Sequence, residues 1–263
     1  LRIFPIYYIT LIVLFIFNVS EVRDIFLWFG FYASNIYFYT IQSWEGTLSH
    51  LWTLAVEEQF YIIWPFIILF IPRKHLFKSI IAIILIGPLF RFGMYLLSLN
   101  QPGINVFSEL LTPACMDSFG LGALLAYIHI YKKDDYRYQT KLLMTASVIY
   151  IIIMTGIILL KPAYTSIIFR NFNMSLLALF LIAKASTGFT GFMKIILENK
   201  ILMYLGKISY GLYLYHNFIV LIYESVGLPA IQNLYLRLSI QGLMLVLLAS
   251  ISWYVIEKPI NNL

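Results

Sequence analysis

Apolar residues gather along the chain into nine stretches, at roughly 3–17, 24–41, 54–71, 76–99, 112–131, 142–160, 166–184, 204–224 and 233–256. Most approach the ~20 residues that a helix needs to cross a bilayer core. The polar stretches between them are short, leaving no room for an embedded soluble domain, and neither an internal repeat nor a low-complexity tract occurs. Only helices or closed barrels satisfy every backbone group within lipid. The pattern predicts an all-α, polytopic transmembrane helical bundle with about eight or nine membrane segments. The second stretch carries Ser34, Asn35, Thr40 and Gln42. It is expected to lie tilted, interfacial or re-entrant, with a conventional ninth helix as the alternative.

Composition narrows the function classes. Hydrophobic residues make up 61% of the 263 and charged residues 11%, against about 45–50% and about 25% in soluble domains. A soluble enzyme, a disordered protein and a nucleic-acid module are thereby excluded. The net charge of +6 is not clustered into the basic stripe that nucleic acid requires, so no nucleic-acid partner is expected. Cys115 is the only cysteine, which excludes an intrachain disulfide framework and a cysteine-based zinc site. His50, His75 and His129 have no histidine or carboxylate at metal-ligand helical spacing, so no metal site is expected.

The cations carry the orientation. Arg73, Lys74 and Lys78 crowd one loop, and Lys132, Lys133, Arg137 and Lys141 another; Lys184, Lys194, Lys200 and Lys207 make a third basic stretch. The loops at 100–107 and 225–236 have neither Lys nor Arg. Basic loops face the cytoplasm, which predicts a cytoplasmic C-terminus.

Against this apolar background the intramembrane polar residues are the candidates for chemistry. In Leu51-Trp52-Thr53-Leu54-Ala55-Val56-Glu57-Glu58-Gln59-Phe60-Tyr61-Ile62-Ile63-Trp64-Pro65 two adjacent carboxylates stand at the mouth of a membrane helix. At 100° per residue, His50, Thr53, Glu57, Tyr61 and Trp64 fall within an arc of roughly 80°, with Glu58 at its edge and Gln59 nearly opposite. The stripe suits the wall of a polar cavity; a solvated helix end is the alternative. Arg91 follows Gly87-Pro88 in mid-segment, where it either contacts substrate or forms an ion pair with Asp117 or Glu109. Ser209, Tyr213, His216 and Tyr223 share a second helical face, also roughly 80° wide. His216 is either a packed residue or a base, since imidazole moves protons near neutrality. Tyr and Trp at segment ends are expected in the interfacial belt.

The Leu51–Pro65 stretch resembles the signature of the acyltransferase-3 family of bacterial integral-membrane O-acyltransferases, a family that includes O-antigen, exopolysaccharide and peptidoglycan acetylases. Three further stretches match in order. Arg2-Ile3-Phe4-Pro5-Ile6-Tyr7-Tyr8 resembles the end of the family's Arg-rich segment. Met116-Asp117-Ser118-Phe119-Gly120-Leu121-Gly122-Ala123-Leu124-Leu125-Ala126 resembles its Asp- and Gly-containing helix. Leu205-Gly206-Lys207-Ile208-Ser209-Tyr210-Gly211-Leu212-Tyr213-Leu214-Tyr215-His216 resembles a third motif, and Ile256-Glu257-Lys258-Pro259 its close.

The resemblance implies one acyltransferase-3-like membrane domain over 1–263, lacking the family's first two helices, in the inner membrane of a bacterium. It implies transfer of an acetyl group from acetyl-CoA to a hydroxyl of a cell-surface or exported carbohydrate. Glu57, Glu58 and His216 are the catalytic candidates. Arg2, Arg91, Asp117, Trp52, Tyr61, Ser209 and Tyr213 are the substrate-binding ones, with Arg2 and the cytoplasmic lysines facing the CoA phosphates. The family's own catalytic histidine lies on its first helix, so residues 1–263 alone are expected to be inactive. Cys115 stands where the family often has Arg. A transporter or flippase of polysaccharide or lipid-linked sugar is the rival from another class.

Overall fold

A computed structural model describes residues 3–44, 46–99, 107–131, 136–160, 163–225 and 232–262. The described residues form helices and turns without strands. The all-α multi-pass bundle expected from the sequence is the observed fold. Among the described residues five helices are long and apolar enough to cross a membrane: Gly46–Phe70, Arg73–Ser98, Thr112–Tyr131, Ile168–Thr187 and Leu234–Asn261. A sixth crossing arises if the bent pair Ile3–Phe17 and Val19–Gly30 counts as one. The chain divides into two compact units, Leu1–Phe31 with Glu45–Leu51 and Phe189–Leu263, and Tyr32–Trp44 with Trp52–Gly188.

In the first unit α1 (Ile3–Phe17) turns by 117° into α2 (Val22–Gly30). Asn18, Ser20 and Glu21 take positive φ at the bend. A broken helix leaves carbonyls that need donors. Arg23 provides them: its Nε donates to Phe15 O at 2.9 Å and its Nη2 to Ile16 O at 2.7 Å. The hydroxyls of Tyr7 and Tyr8 donate to Phe29 O and Gly30 O, each at 2.9 Å, and so close the far end of α2. The same unit holds α9 (Gly191–Leu197), α10 (Lys200–Tyr215), α11 (Ile219–Ser225) and α12 (Leu234–Ser252). Asn199 caps α10, accepting from Ile201 N and Leu202 N at 2.9 and 3.0 Å. Helices α10 and α12 meet at Gly211, where a β-carbon would stand 3.2 Å from that of Ala249.

In the second unit the stretch at 24–41 continues as α3 (Ser34–Ile41) after a break at Tyr32, whose φ is +52°. The expected single tilted segment is thus two short helices. The rest of the unit is α4 (Trp52–Phe70), α5 (Arg73–Ser98), α6 (Met116–Tyr131), α7 (Tyr136–Leu160) and α8 (Ala163–Thr187). Its core joins Leu76, Ile80 and Ile84 of α5 to Leu121, Leu124 and Ile128 of α6 and to Leu176 and Leu179 of α8. Small residues let membrane helices approach closely. A β-carbon on Gly120 would stand 2.6 Å from Ile84 Cγ1.

Candidate functional site

The half of α4 that carries the carboxylates is sunk into protein on several sides. Glu58 is 3% exposed, and Leu54, Ala55, Val56 and Phe60 are buried with it. Glu57 and Trp52 are half-buried. Tyr61 is 49% exposed, so it does not line an enclosed cavity in the described unit. The stripe expected from 100° steps also fails at its start. Gly46–Leu51 is a 3-10 helix, which turns by about 120° per residue and moves His50 off the α-helical register.

Gln59, the residue expected to point away, is the one that organises α4. Its Nε2 donates to Tyr32 O at 2.7 Å and to Asn35 Oδ1 at 2.9 Å. Asn35 Nδ2 donates to Thr112 Oγ1 at 3.3 Å and to Leu110 O at 3.2 Å. The Thr112 hydroxyl then donates back to Gln59 Oε1. Two amides and a hydroxyl close a neutral ring in which each donor finds an acceptor, the form in which buried polar groups are stable. This ring ties α3 and α4 to the 3-10 turn Thr112–Cys115.

Arg91 and Asp117 find one another. The guanidinium meets the carboxylate through Nη2 and Oδ2 at 2.5 Å and through Nη1 and Oδ1 at 3.3 Å. They are 1% and 0% exposed. Nε donates to Ile168 O at 2.8 Å, and Nη1 also donates to Ala114 O. Asp117 Oδ1 accepts from Ser118 N at 3.0 Å. Of the two readings open in the sequence, the ion pair is the observed one, and Glu109 pairs instead with Arg170 at 3.3 Å. The pair joins α5, α6 and α8 as a strut. Neither side chain presents a free face to a substrate in this structure.

The first unit assembles a second polar cluster. The eighth apolar stretch is not one helix: α10 ends at Tyr215, and α11 begins at Ile219 after a turn through His216. Tyr223 therefore leaves the expected face of Ser209, Tyr213 and His216. Ser209 is exposed and bonds back to Gly206 O at 2.9 Å, outside the cluster. His50 and His216 stack edge to face with ring centroids 4.7 Å apart. The Tyr213 hydroxyl donates to His50 O at 2.9 Å.

Carbonyl partners set the tautomers. His216 Nδ1 lies 2.6 Å from Tyr213 O and so carries the proton, which leaves Nε2 as the basic nitrogen of an exposed side chain. His50 is buried, and its Nε2 donates to Leu214 O at 3.1 Å. His50 Nδ1 lies 3.0 Å from Asn217 Nδ2 and 3.1 Å from Thr47 O. It accepts from the amide when neutral and donates to the carbonyl when protonated. Asn217 escaped the sequence reading of the site and Gln59 was expected to point away from it; His50 entered it as the first member of the α4 stripe, not as a neighbour of His216.

Glu257 also escaped the sequence reading of the site. It is fully buried at the end of a π-helical turn, Trp253–Glu257, and accepts from Ser252 Oγ at 3.3 Å. Its signal was the Ile256–Pro259 motif, and π-turns recur at functional sites. Arg2 lies outside the described residues. Among the described residues no three His, Cys, Asp or Glu side chains converge in the manner of metal ligands.

The acyltransferase domain profile matches residues 1–257. The chain belongs to the acyltransferase-3 family. One relative in sequence is the O-acetyltransferase OatA of Staphylococcus aureus strain NCTC 8325, 30% identical over 246 residues that cover 88% of this chain and 40% of that protein. Another, from strain COL and provisionally named an O-acetyltransferase, is 27% identical over 263 residues, covering 93% of this chain and 42% of the relative. This acyltransferase-3 chain therefore spans less than half the length of the curated relatives it matches. No solved structure matches it. With several long apolar helices and this membership, it is a multi-pass membrane protein.

Proposed function

We propose that the intact protein is a membrane-bound O-acyltransferase that moves an acetyl group from acetyl-CoA to a hydroxyl of a cell-surface or exported carbohydrate. The observation that carries this reading is the acyltransferase domain match over residues 1–257, joined to relatives named O-acetyltransferases. In the reaction the acceptor oxygen attacks the thioester carbonyl carbon, the C–S bond breaks, and the hydroxyl proton passes to a base while the CoA sulfur leaves as thiolate or thiol. A hydroxyl needs such a base to be a competent nucleophile.

Within this chain His216 suits that task best, because its side chain is exposed and its Nδ1 is engaged by Tyr213 O, which leaves Nε2 as the basic nitrogen. Where the intact protein carries the upstream histidine that the family resemblance implies, Glu57 or Glu58 orients or charges it. Arg2 and the lysines of the basic loops supply the contacts to the CoA phosphates. The alternation of basic and non-basic loops supports a cytoplasmic C-terminus, and the family resemblance supports placement in the inner membrane of a bacterium.

The test is the intact protein reconstituted in vesicles with acetyl-labelled CoA and a carbohydrate acceptor. Base-labile label on the carbohydrate is the expected result. Carbohydrate that crosses the membrane without gaining an ester overturns the reading in favour of transport. His216→Gln, which keeps a donor for Tyr213 O but no base, lowers turnover by about 10²–10⁴-fold; full turnover removes His216 from the chemistry.

A further inference from the structure

Two grooves run along the surface of the second unit, on either side of Leu125, and meet at one end. The first, of about 720 Å³, lies among α6, α7 and α8, walled by Leu125, Ile128, Leu142, Met144, Val148 and Phe180. The second, of about 340 Å³, follows α6 and α8 from Ser118 and Ser175 to His129 and Ser186, over a floor that includes Gly122, Ala126 and Ala178. At 1.5 Å rise per residue, Ser118 to His129 measures about 16 Å, the scale of an acyl chain. His129 and Ser186 border both grooves, and Lys184 borders the first.

The meeting point is basic. Lys184 and His129 are both exposed, and no lining residue of either groove is acidic. A lysine in the last turn of a helix needs no ligand to explain it. Two apolar grooves that converge on that charge do. The walls carry hydroxyls but no amide side chain and are mostly apolar, which favours acyl chains over the amide-rich arm and nucleotide of coenzyme A. Ser118 and Ser175, at the far end, bond each other at 2.6 Å.

We propose that these grooves hold one two-chain anionic phospholipid from the leaflet that borders the basic loops. One acyl chain lies in each groove, and the phosphate is met by Lys184 Nζ and an N–H of His129. Basic pockets between membrane helices bind acidic headgroups in this way. The inference takes Lys184 for the lipid and leaves the other lysines of the basic loops to the CoA phosphates, and it is tested on binding alone.

The experiment is native mass spectrometry of the intact, detergent-solubilised protein with phosphatidylglycerol and with phosphatidylcholine of the same chains. One bound lipid is expected, with phosphatidylglycerol retained about tenfold more than phosphatidylcholine. The double variant Lys184→Gln, His129→Gln abolishes that preference, whereas Lys194→Gln, in the other unit, leaves it intact. Gly122→Leu fills the second groove. A β-carbon there meets nothing within 4 Å, so the side chain starts without a clash, and the monodisperse species in the same spectrum reports that the variant is folded. It lowers retention of phosphatidylglycerol to that of its single-chain lyso form and leaves the lyso form unchanged. Equal retention of the two headgroups, or a preference that survives the double variant, overturns the proposal. So does one-to-one displacement of the lipid by coenzyme A, which assigns the grooves to the acyl donor.

Discussion

The carboxylate of Asp117 occupies the space that a side chain on Gly87 would need: a β-carbon at Gly87 would stand 2.6 Å from Asp117 Cγ. Glycine costs a helix about 1 kcal/mol relative to alanine, so Gly87→Ala would stabilise an isolated α5. Displacing Asp117 from Arg91 instead breaks a buried pair, at about 3–5 kcal/mol. Loss of the pair outweighs the gain in helix propensity. Gly87→Ala is expected to lower thermal stability in detergent, and an unchanged or raised Tm overturns the packing argument.

Arg91 and Asp117 are expected to behave as one unit. Removing either partner alone strands a buried charge and costs about 3–5 kcal/mol. Asp117→Leu combined with Arg91→Leu strands none, although it still leaves Ile168 O and Ala114 O without the guanidinium. The double variant is expected to lose less stability than the two single losses added together. A double-mutant cycle on unfolding reads this directly, and additive losses contradict it.

Gln59→Leu tests the neutral ring. The substitution keeps the approximate volume but strands Asn35 Oδ1 and the Thr112 hydroxyl, both in buried residues. A stranded buried polar group costs about 1–3 kcal/mol. Hydrogen exchange of the α3 amides should rise selectively, because Gln59 and Asn35 tie that helix down. Uniform or unchanged exchange would show that the ring does not anchor α3.

The two carboxylates of α4 are separable by isosteric neutralisation. Glu57→Gln and Glu58→Gln remove a charge without changing shape, and each is expected to reduce acetyl transfer by the intact protein about 10²-fold or more while the protein remains monodisperse. Full transfer by either variant takes that carboxylate out of the mechanism.

The apolar runs were legible as helices because in lipid every backbone group must pair within its own segment. The breaks inside those runs were not. Tyr32 takes a positive φ, and the chain turns at His216, yet neither position carries a glycine or proline to announce it. Ion pairing was legible as an option, since a buried Arg91 demands an anion. The choice of Asp117 over Glu109 depended on how α5 and α6 pack, and so did the use of Ile168 O. Gln59 was misread for a specific reason. Angular position on a helix tells which residues share a face, but not which face meets a neighbour that offers an amide and a hydroxyl. The approach of His50 to His216 joins positions 166 apart in the chain and has no local signature.

The turn at His216 carries a consequence for what these imidazoles are. A helix that stops leaves its final carbonyls without intrahelical partners. Each of the last four in α10 is nevertheless answered: Leu212 O by His216 N, Tyr213 O by His216 Nδ1, Leu214 O by His50 Nε2 and Tyr215 O by Phe218 N. The two histidines thus act as fixed solvent for an unfinished helix. Their orientation is a by-product of terminating the backbone. Any lineage that changed either ring to a residue without a donor would have to lengthen the helix or supply another donor before it could dispense with the histidine.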